Sequence, residues 1–123
     1  MVKFIVTVLL ILICFGVCFA GNWEDYSNNQ IVNAIYWAEG GKSTSHPYGI
    51  LAHYEHTTPR QACINTIKHV RRDFKGENWL GLDFVEFLAS RYAPIGASND
   101  PSNLNVNWVK NVKSLLLMGK DIK

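Results

Sequence analysis

The sequence predicts a mainly α-helical domain with a short β excursion after its first helix. Four stretches carry apolar residues at helical spacing, and capping or helix-breaking residues bound them. One short stretch between the first two has the composition of an extended segment. About a hundred of the 123 residues follow an apolar N-terminal segment, a length that suits one domain with one core.

The N-terminal segment has the composition of a secretory signal peptide. One lysine is followed by 16 residues without charge, and Cys18 and Ala20 are small residues at −3 and −1 of a cut after Ala20. The alternative is an uncleaved anchor, because a spanning helix can be as short as about 17 residues. We favour cleavage, since the apolar run is short and no basic cluster follows it. The sequence thus predicts a leader at 1–20 and an exported domain, periplasmic or secreted, at 21–123. This domain would meet the membrane only through the leader.

The second predicted helix has the clearest start. Thr58, Pro59 and Gln61 supply an N-cap, a proline at the first helical position and the glutamine of a capping box. Serine and asparagines at 27–29 can cap the first helix, which the Gly40–Gly41 pair ends. The predicted helices are 28–39, 59 to about 75, 83–92 and 104–117, and the extended segment is 48–54.

Each predicted helix carries an apolar stripe that we expect to face the core. On the second helix, the basic residues Lys68, Arg71, Arg72 and Lys75 are expected to face water and to favour its C-terminal end. The stripes are Ile31, Ala34, Ile35 and Ala38; Cys63, Ile67, Val70 and Phe74; Phe84, Phe87, Leu88 and Tyr92; and Trp108, Val109, Val112, Leu115 and Leu116.

Composition argues against several classes of function. Without Lys3, eleven basic residues stand against ten acidic ones, which gives no electrostatic argument for nucleic acid as a partner. Cys63 is the only cysteine after the leader, so no internal disulfide can form there, and its apolar stripe indicates a buried thiol. His53 and His56 have no accompanying metal-binding motif. We therefore expect no metal, no cofactor and a monomer.

Glu39 is the candidate catalytic residue. It ends an apolar helix, where the helix dipole disfavours negative charge, and it follows Tyr36 and Trp37. Aromatic surface and the negative end of a dipole should raise the pKa of its carboxyl, as the general acid of a glycosidase requires. The simpler interpretation, which a lone glutamate favours, is a solvated residue in the last helical turn.

Two longer patterns extend the case for Glu39. Ala38–Gly41 is followed by a polar loop and by Pro47–Leu51, and later Phe87–Pro94 leads through an Asp-Pro loop to the amphipathic stretch Asn107–Val112. Together they resemble lysozyme-like peptidoglycan-cleaving domains, which include lytic transglycosylases, goose-type lysozymes and bacterial cell-wall glucosaminidases. The resemblance covers residues 30 to 117. Glycine replaces the family's serine or threonine after the glutamate, and no glutamine follows the apolar triplet 49–51, which leaves the subfamily open.

The resemblance implies a small lysozyme-like helical domain that cleaves the glycan strands of peptidoglycan. In that family the catalytic glutamate ends a buried helix, and a loop and a glycine-apolar strand line the sugar-binding cleft. It therefore implies that Glu39 is the catalytic acid/base, and that Tyr48, Gly49, Ile50 and Tyr92 bind the substrate.

The chemistry of cleavage depends on whether a second carboxylate takes part. Asp25, Glu55 and Asp100 are candidates only by position, and retaining and inverting hydrolases normally need two carboxyls. The transglycosylase route that the resemblance implies works with one, because the sugar's N-acetyl group and 6-hydroxyl complete the reaction. One isolated Glu39 favours the transglycosylase over a hydrolase.

The alternative function is a non-catalytic lysozyme-like module for binding or assembly in the cell envelope. Trp108 can stack on a sugar, although its helical spacing favours the core.

Overall fold

The protein is mainly α-helical in the part of the chain that the computed structural model describes, residues 22–50, 53–77, 81–92 and 105–119. The helices are α1 (Asn28–Ala38), α2 (Pro59–Glu77), α3 (Phe84–Tyr92) and α4 (Val106–Met118), with 3₁₀ turns at Trp23–Asp25 and Gly41–Ser43. The predicted leader, 1–20, lies outside the described residues. Within them, every helix is too short or too polar to cross a membrane.

Polar side chains cap the starts of the first two helices. The Ser27 hydroxyl accepts from the backbone N–H of Gln30 at 3.1 Å, and the Gln30 side chain accepts from the backbone N–H of Ser27 at 2.8 Å, which completes a capping box. The Thr58 hydroxyl likewise accepts from the backbone N–H of Gln61 at 3.1 Å. The Gln61 side chain, however, donates to Asn65 at 3.0 Å. The capping box predicted at Thr58 is therefore only half formed.

The four helices pack around one apolar core. Helix α1 contacts both α2 and α4, and α3 contacts the same two helices. The predicted stripes face inward as expected, and Val32, Val85 and Ala89 join them in the core. Fully burying one such aliphatic or aromatic side chain contributes about 1.5–3 kcal/mol, so the inward faces of the helices stabilise the arrangement that holds the end of α1.

Arg71, expected to face water on the outer side of α2, instead binds other parts of the chain. Its guanidinium donates to the Asn28 side chain at 2.7 Å, to the backbone carbonyl of Glu24 at 2.6 Å and to the backbone carbonyl of Tyr26. It also lies 5.1 Å from the centre of the Phe84 ring. The prediction that Arg71 faces water was wrong, because the chain before α1 folds back and supplies acceptors that a helical pattern does not reveal.

The extended segment predicted at 48–54 is not seen among its described residues, 48–50 and 53–54. Leu51 and Ala52 lie outside the described part of the chain. A turn lies at its start instead, closed by a 2.9 Å hydrogen bond from the backbone N–H of Gly49 to the carbonyl of His46. Gly49 has φ +67°, a left-handed conformation that interrupts a strand. We refer to residues 46–49 as the Tyr48 turn.

Candidate active site

Glu39 lies at the C-terminal cap of α1. Its backbone N–H donates to the carbonyl of Ile35 at 2.9 Å, which completes the last turn of the helix. Gly40 and Gly41 then take φ values of +109° and +54°. A Cβ atom on Gly41 would lie 2.7 Å from a ring carbon of Trp37, so this sharp exit from the helix requires glycine.

The Glu39 carboxyl accepts a hydrogen bond from Trp108, which lies 69 residues further along the chain on α4. The indole Nε1 of Trp108 is 2.9 Å from Oε1 of Glu39. The Trp108 side chain is in the core, as its helical spacing predicted, and its residue is only 6% exposed. A buried indole N–H needs an acceptor, and Glu39 supplies it. The sequence did not reveal this second property of Trp108.

Gly49 lies over the flat side of the Glu39 carboxyl. A Cβ atom built on Gly49 would lie 3.1 Å from Cδ of Glu39, 3.2 Å from Oε1 and 3.3 Å from Oε2. Three nearly equal distances mean that Gly49 faces the flat side of the carboxyl group. The turn can approach this closely because its residue lacks a side chain.

Burial raises the pKa of the Glu39 carboxyl, and the hydrogen bond from Trp108 lowers it by less, so the net change is upward. The direction agrees with the expectation from the sequence, although burial is the larger cause. A raised pKa keeps more of the carboxyl protonated near neutral pH. Glu39 can therefore act as a proton donor.

Tyr92 holds the Tyr48 turn against the rest of the site. The Tyr92 hydroxyl donates to the backbone carbonyl of Tyr48, and its ring stacks on the Trp108 ring with centroids 5.5 Å apart. Burial also raises the pKa of the Tyr92 phenol, which keeps it a hydrogen-bond donor. Ile50 is half-buried and packs against the core. Among the predicted binding residues, Gly49 closely approaches Glu39 and Tyr92 bonds to Tyr48, whereas Ile50 packs against the core.

Arg60 and Asn33 belong to the same region and were not predicted from the sequence. The Nη1 atom of Arg60 is 2.9 Å from Oδ1 of Asn33 and 3.4 Å from the hydroxyl oxygen of Tyr48. The Tyr48 ring also packs on Tyr36, with centroids 5.5 Å apart. No local pattern relates positions 33, 48 and 60, so only the packing of α1 on α2 brings them together.

Cys63 lies beneath this cluster and is fully buried. Burial raises the pKa of its thiol to about 11. The thiol is therefore protonated near neutral pH, which agrees with the expectation that Cys63 is a small buried residue rather than a nucleophile.

The two described candidates for a second carboxylate, Asp25 and Glu55, are exposed, and neither shifts the pKa of Glu39. Asp25 is exposed in the 3₁₀ turn before α1, at the other end of an 11-residue helix that spans about 16 Å. Glu55 is exposed, with His56 at 3.9 Å, and Asp100 lies outside the described residues. Within the described part of the chain, no three His, Cys, Asp or Glu side chains are grouped so that they could hold a metal ion.

Comparisons of the chain with protein-family models, with curated proteins and with solved structures found no match. The chemistry of the Glu39 site and the resemblance in the sequence therefore carry the functional proposal.

Proposed function

We propose that the protein is an exported enzyme that cleaves the glycan strands of peptidoglycan, with Glu39 as its general acid/base. One observation supports the proposal most directly: a partly buried carboxyl of raised pKa ends a helix, accepts a hydrogen bond from Trp108 and is closely approached by Gly49. Such an environment suits a carboxylic acid that must deliver a proton at neutral pH. The proposal includes a lysozyme-like arrangement of the helices and export by the leader at 1–20.

In the proposed reaction, protonated Glu39 donates its proton to the glycosidic oxygen as the bond from that oxygen to the sugar's C1 breaks. Among the described residues, Trp108 alone donates a hydrogen bond to the carboxyl, and it does so at Oε1. Oε2 is then the oxygen that carries and delivers the proton. The resulting carboxylate stabilises the positive charge that develops on the sugar ring containing C1, while the other sugar leaves with the protonated oxygen as an alcohol.

The second step restores the proton to Glu39. In the transglycosylase version, the sugar's 6-hydroxyl attacks C1 and gives its proton to the Glu39 carboxylate, which produces an anhydro sugar. In the hydrolase version, water takes the place of that hydroxyl. The distant or exposed positions of Asp25 and Glu55 favour the version that needs one carboxylate.

The test is cleavage of peptidoglycan by Glu39→Gln, with Glu55→Gln as a control at an exposed carboxyl. Glutamine keeps the volume of the side chain and an acceptor for Trp108 but cannot deliver a proton. We expect Glu39→Gln to fold normally by circular dichroism and to lose at least about 10²–10⁴-fold in rate, while Glu55→Gln remains active. Mass spectrometry of the products distinguishes anhydro ends from reducing ends. Clearing of a peptidoglycan gel by Glu39→Gln at the wild-type rate would refute the assignment. A wild-type protein that binds the strands without cleaving them would instead be a binding module.

A further inference from the structure

Arg60 lies in the first turn of α2 and points toward α1 and the Tyr48 turn. Its guanidinium is half-buried and donates from Nη1 to Asn33 at 2.9 Å and to the Tyr48 hydroxyl at 3.4 Å. Both acceptors are uncharged groups, an amide and a phenol. These contacts hold the guanidinium in place but do not balance its charge.

The charge of Arg60 differs in this respect from the charges of Arg72 and Arg91. Arg72 and Arg91 pair with Asp73 at 3.3 Å and 2.7 Å. Across the described residues, no carboxylate lies within ion-pair distance of Arg60. Because a partly desolvated cation is costly without a counter-charge, this guanidinium is suited to receive an anion from outside the chain.

Arg60 and the proposed catalytic carboxyl border the same turn. Tyr48, which accepts a hydrogen bond from Arg60, is followed directly by Gly49, which faces the flat side of Glu39. Cys63 lies one helical turn after Arg60, and the charges of both Arg60 and Glu39 act on its thiol. Arg60 and Glu39 therefore flank the same turn.

We propose that Arg60 binds a carboxylate of the substrate beside the bond that is cut, so that the site selects strands carrying muramic acid over uncharged strands. The inference rests on the proposed function, because peptidoglycan is the substrate it assumes. Carboxylates occur there on the lactyl group of muramic acid, when it carries no peptide, and on the peptide stems. Arginine suits either source, because its planar guanidinium can donate two parallel hydrogen bonds to a carboxylate.

The experiment measures binding to full-chain Glu39→Gln protein, so that the strands stay intact. Five probes are compared by calorimetry: strands with stems, strands stripped of stems by an amidase, each of these two preparations with its carboxyls converted to amides, and chitotetraose. Arg60→Gln, Arg60→Lys and Lys68→Gln are each added to the Glu39→Gln protein. Lys68 is exposed on the same helix, so its change removes one charge away from the site.

We expect Arg60→Gln to weaken binding of carboxylate-bearing strands by about 10- to 100-fold, the range for a hydrogen bond to a charged group. Amidated strands and chitotetraose should bind as before, Arg60→Lys should fall between, and Lys68→Gln should have no effect. A loss confined to stem-bearing strands identifies the stem as the ligand, and a loss confined to stripped strands identifies the lactyl group.

An equal loss on charged and uncharged strands would overturn the proposal, because Arg60 would then serve only to join Asn33 to Tyr48. If Arg60→Gln does not fold, the test is made on the Glu39→Gln protein alone. Equal affinity of that protein for charged and amidated strands would also overturn the proposal. Cleavage by the wild type is measured separately. Selective binding without cleavage would keep the carboxylate site and refute the enzyme, whereas cleavage without any role for Arg60 would refute this inference alone.

Discussion

Replacing Gly49 by alanine tests whether the Tyr48 turn sets the position of the Glu39 carboxyl. The new Cβ would lie 3.1 Å from Cδ of Glu39, so the carboxyl or the turn must move by a few tenths of an ångström. A misplacement of about 1 Å near a reacting group can cost about 100-fold in rate. The smaller movement should therefore lower the rate of peptidoglycan cleavage by about three- to tenfold.

Backbone strain adds a second effect, which a matched variant can separate from the first. A left-handed conformation costs a residue with a side chain about 1–2 kcal/mol, and alanine recovers about 0.4–1 kcal/mol by restricting the unfolded chain. The net loss of stability at Gly49 is about 1 kcal/mol. Gly81 has a similar φ, +72° against +67°, but a Cβ there would have nothing within 4 Å. Gly81→Ala should lose similar stability and keep its activity.

The assay is the rate of release of soluble fragments from peptidoglycan, measured beside urea unfolding for both alanine variants. Tryptophan fluorescence, to which Trp108 is one of four contributors, gives a second signal, because the Trp108 indole N–H bonds to the carboxyl that moves. Equal activity of Gly49→Ala and Gly81→Ala would refute the reasoning, since strain alone would then account for everything that alanine does at Gly49.

Three further predictions concern Trp108, Thr58 and the leader. Trp108→Phe removes the N–H that lowers the pKa of Glu39, so that pKa should rise further. The cleavage rate decreases as the pH rises through the pKa of Glu39. In Trp108→Phe this decrease should occur at a higher pH than in the wild type, and an unchanged pH–rate profile would contradict the prediction. Thr58→Ala should lower the free energy of unfolding by about 1 kcal/mol, because the Thr58 hydroxyl caps α2. An unchanged unfolding midpoint would show that this cap does not stabilise the protein. Mass spectrometry of the exported protein should find Gly21 as its first residue, and an intact leader on a membrane-bound form would contradict cleavage.

The helices and their inward faces could be predicted from sequence because both are set by nearby residues. Ile31 and Ile35 are one helical turn apart, and the spacing alone places them on one buried face. The position of Glu39 at a helix end followed in the same way from the two glycines after it. The capping box predicted at Thr58 formed only in part, because the Gln61 side chain bonds to Asn65. The prediction that Arg71 faces water was wrong, because Arg71 binds the folded-back chain before α1.

Only the tertiary structure decided what surrounds Glu39. Its contact with Trp108 joins residues 69 positions apart, and that with Gly49 depends on how the Tyr48 turn lies over the end of α1. The link from Arg60 to Tyr48 likewise depends on how α2 packs beside α1. Such contacts depend on the angles and offsets at which helices and loops pack, which the periodicity of one helix does not contain. The sequence by itself therefore determined the helices and the candidate acid. Packing determined the burial that raises the pKa of that acid, its hydrogen-bond donor and the arginine that borders the same turn.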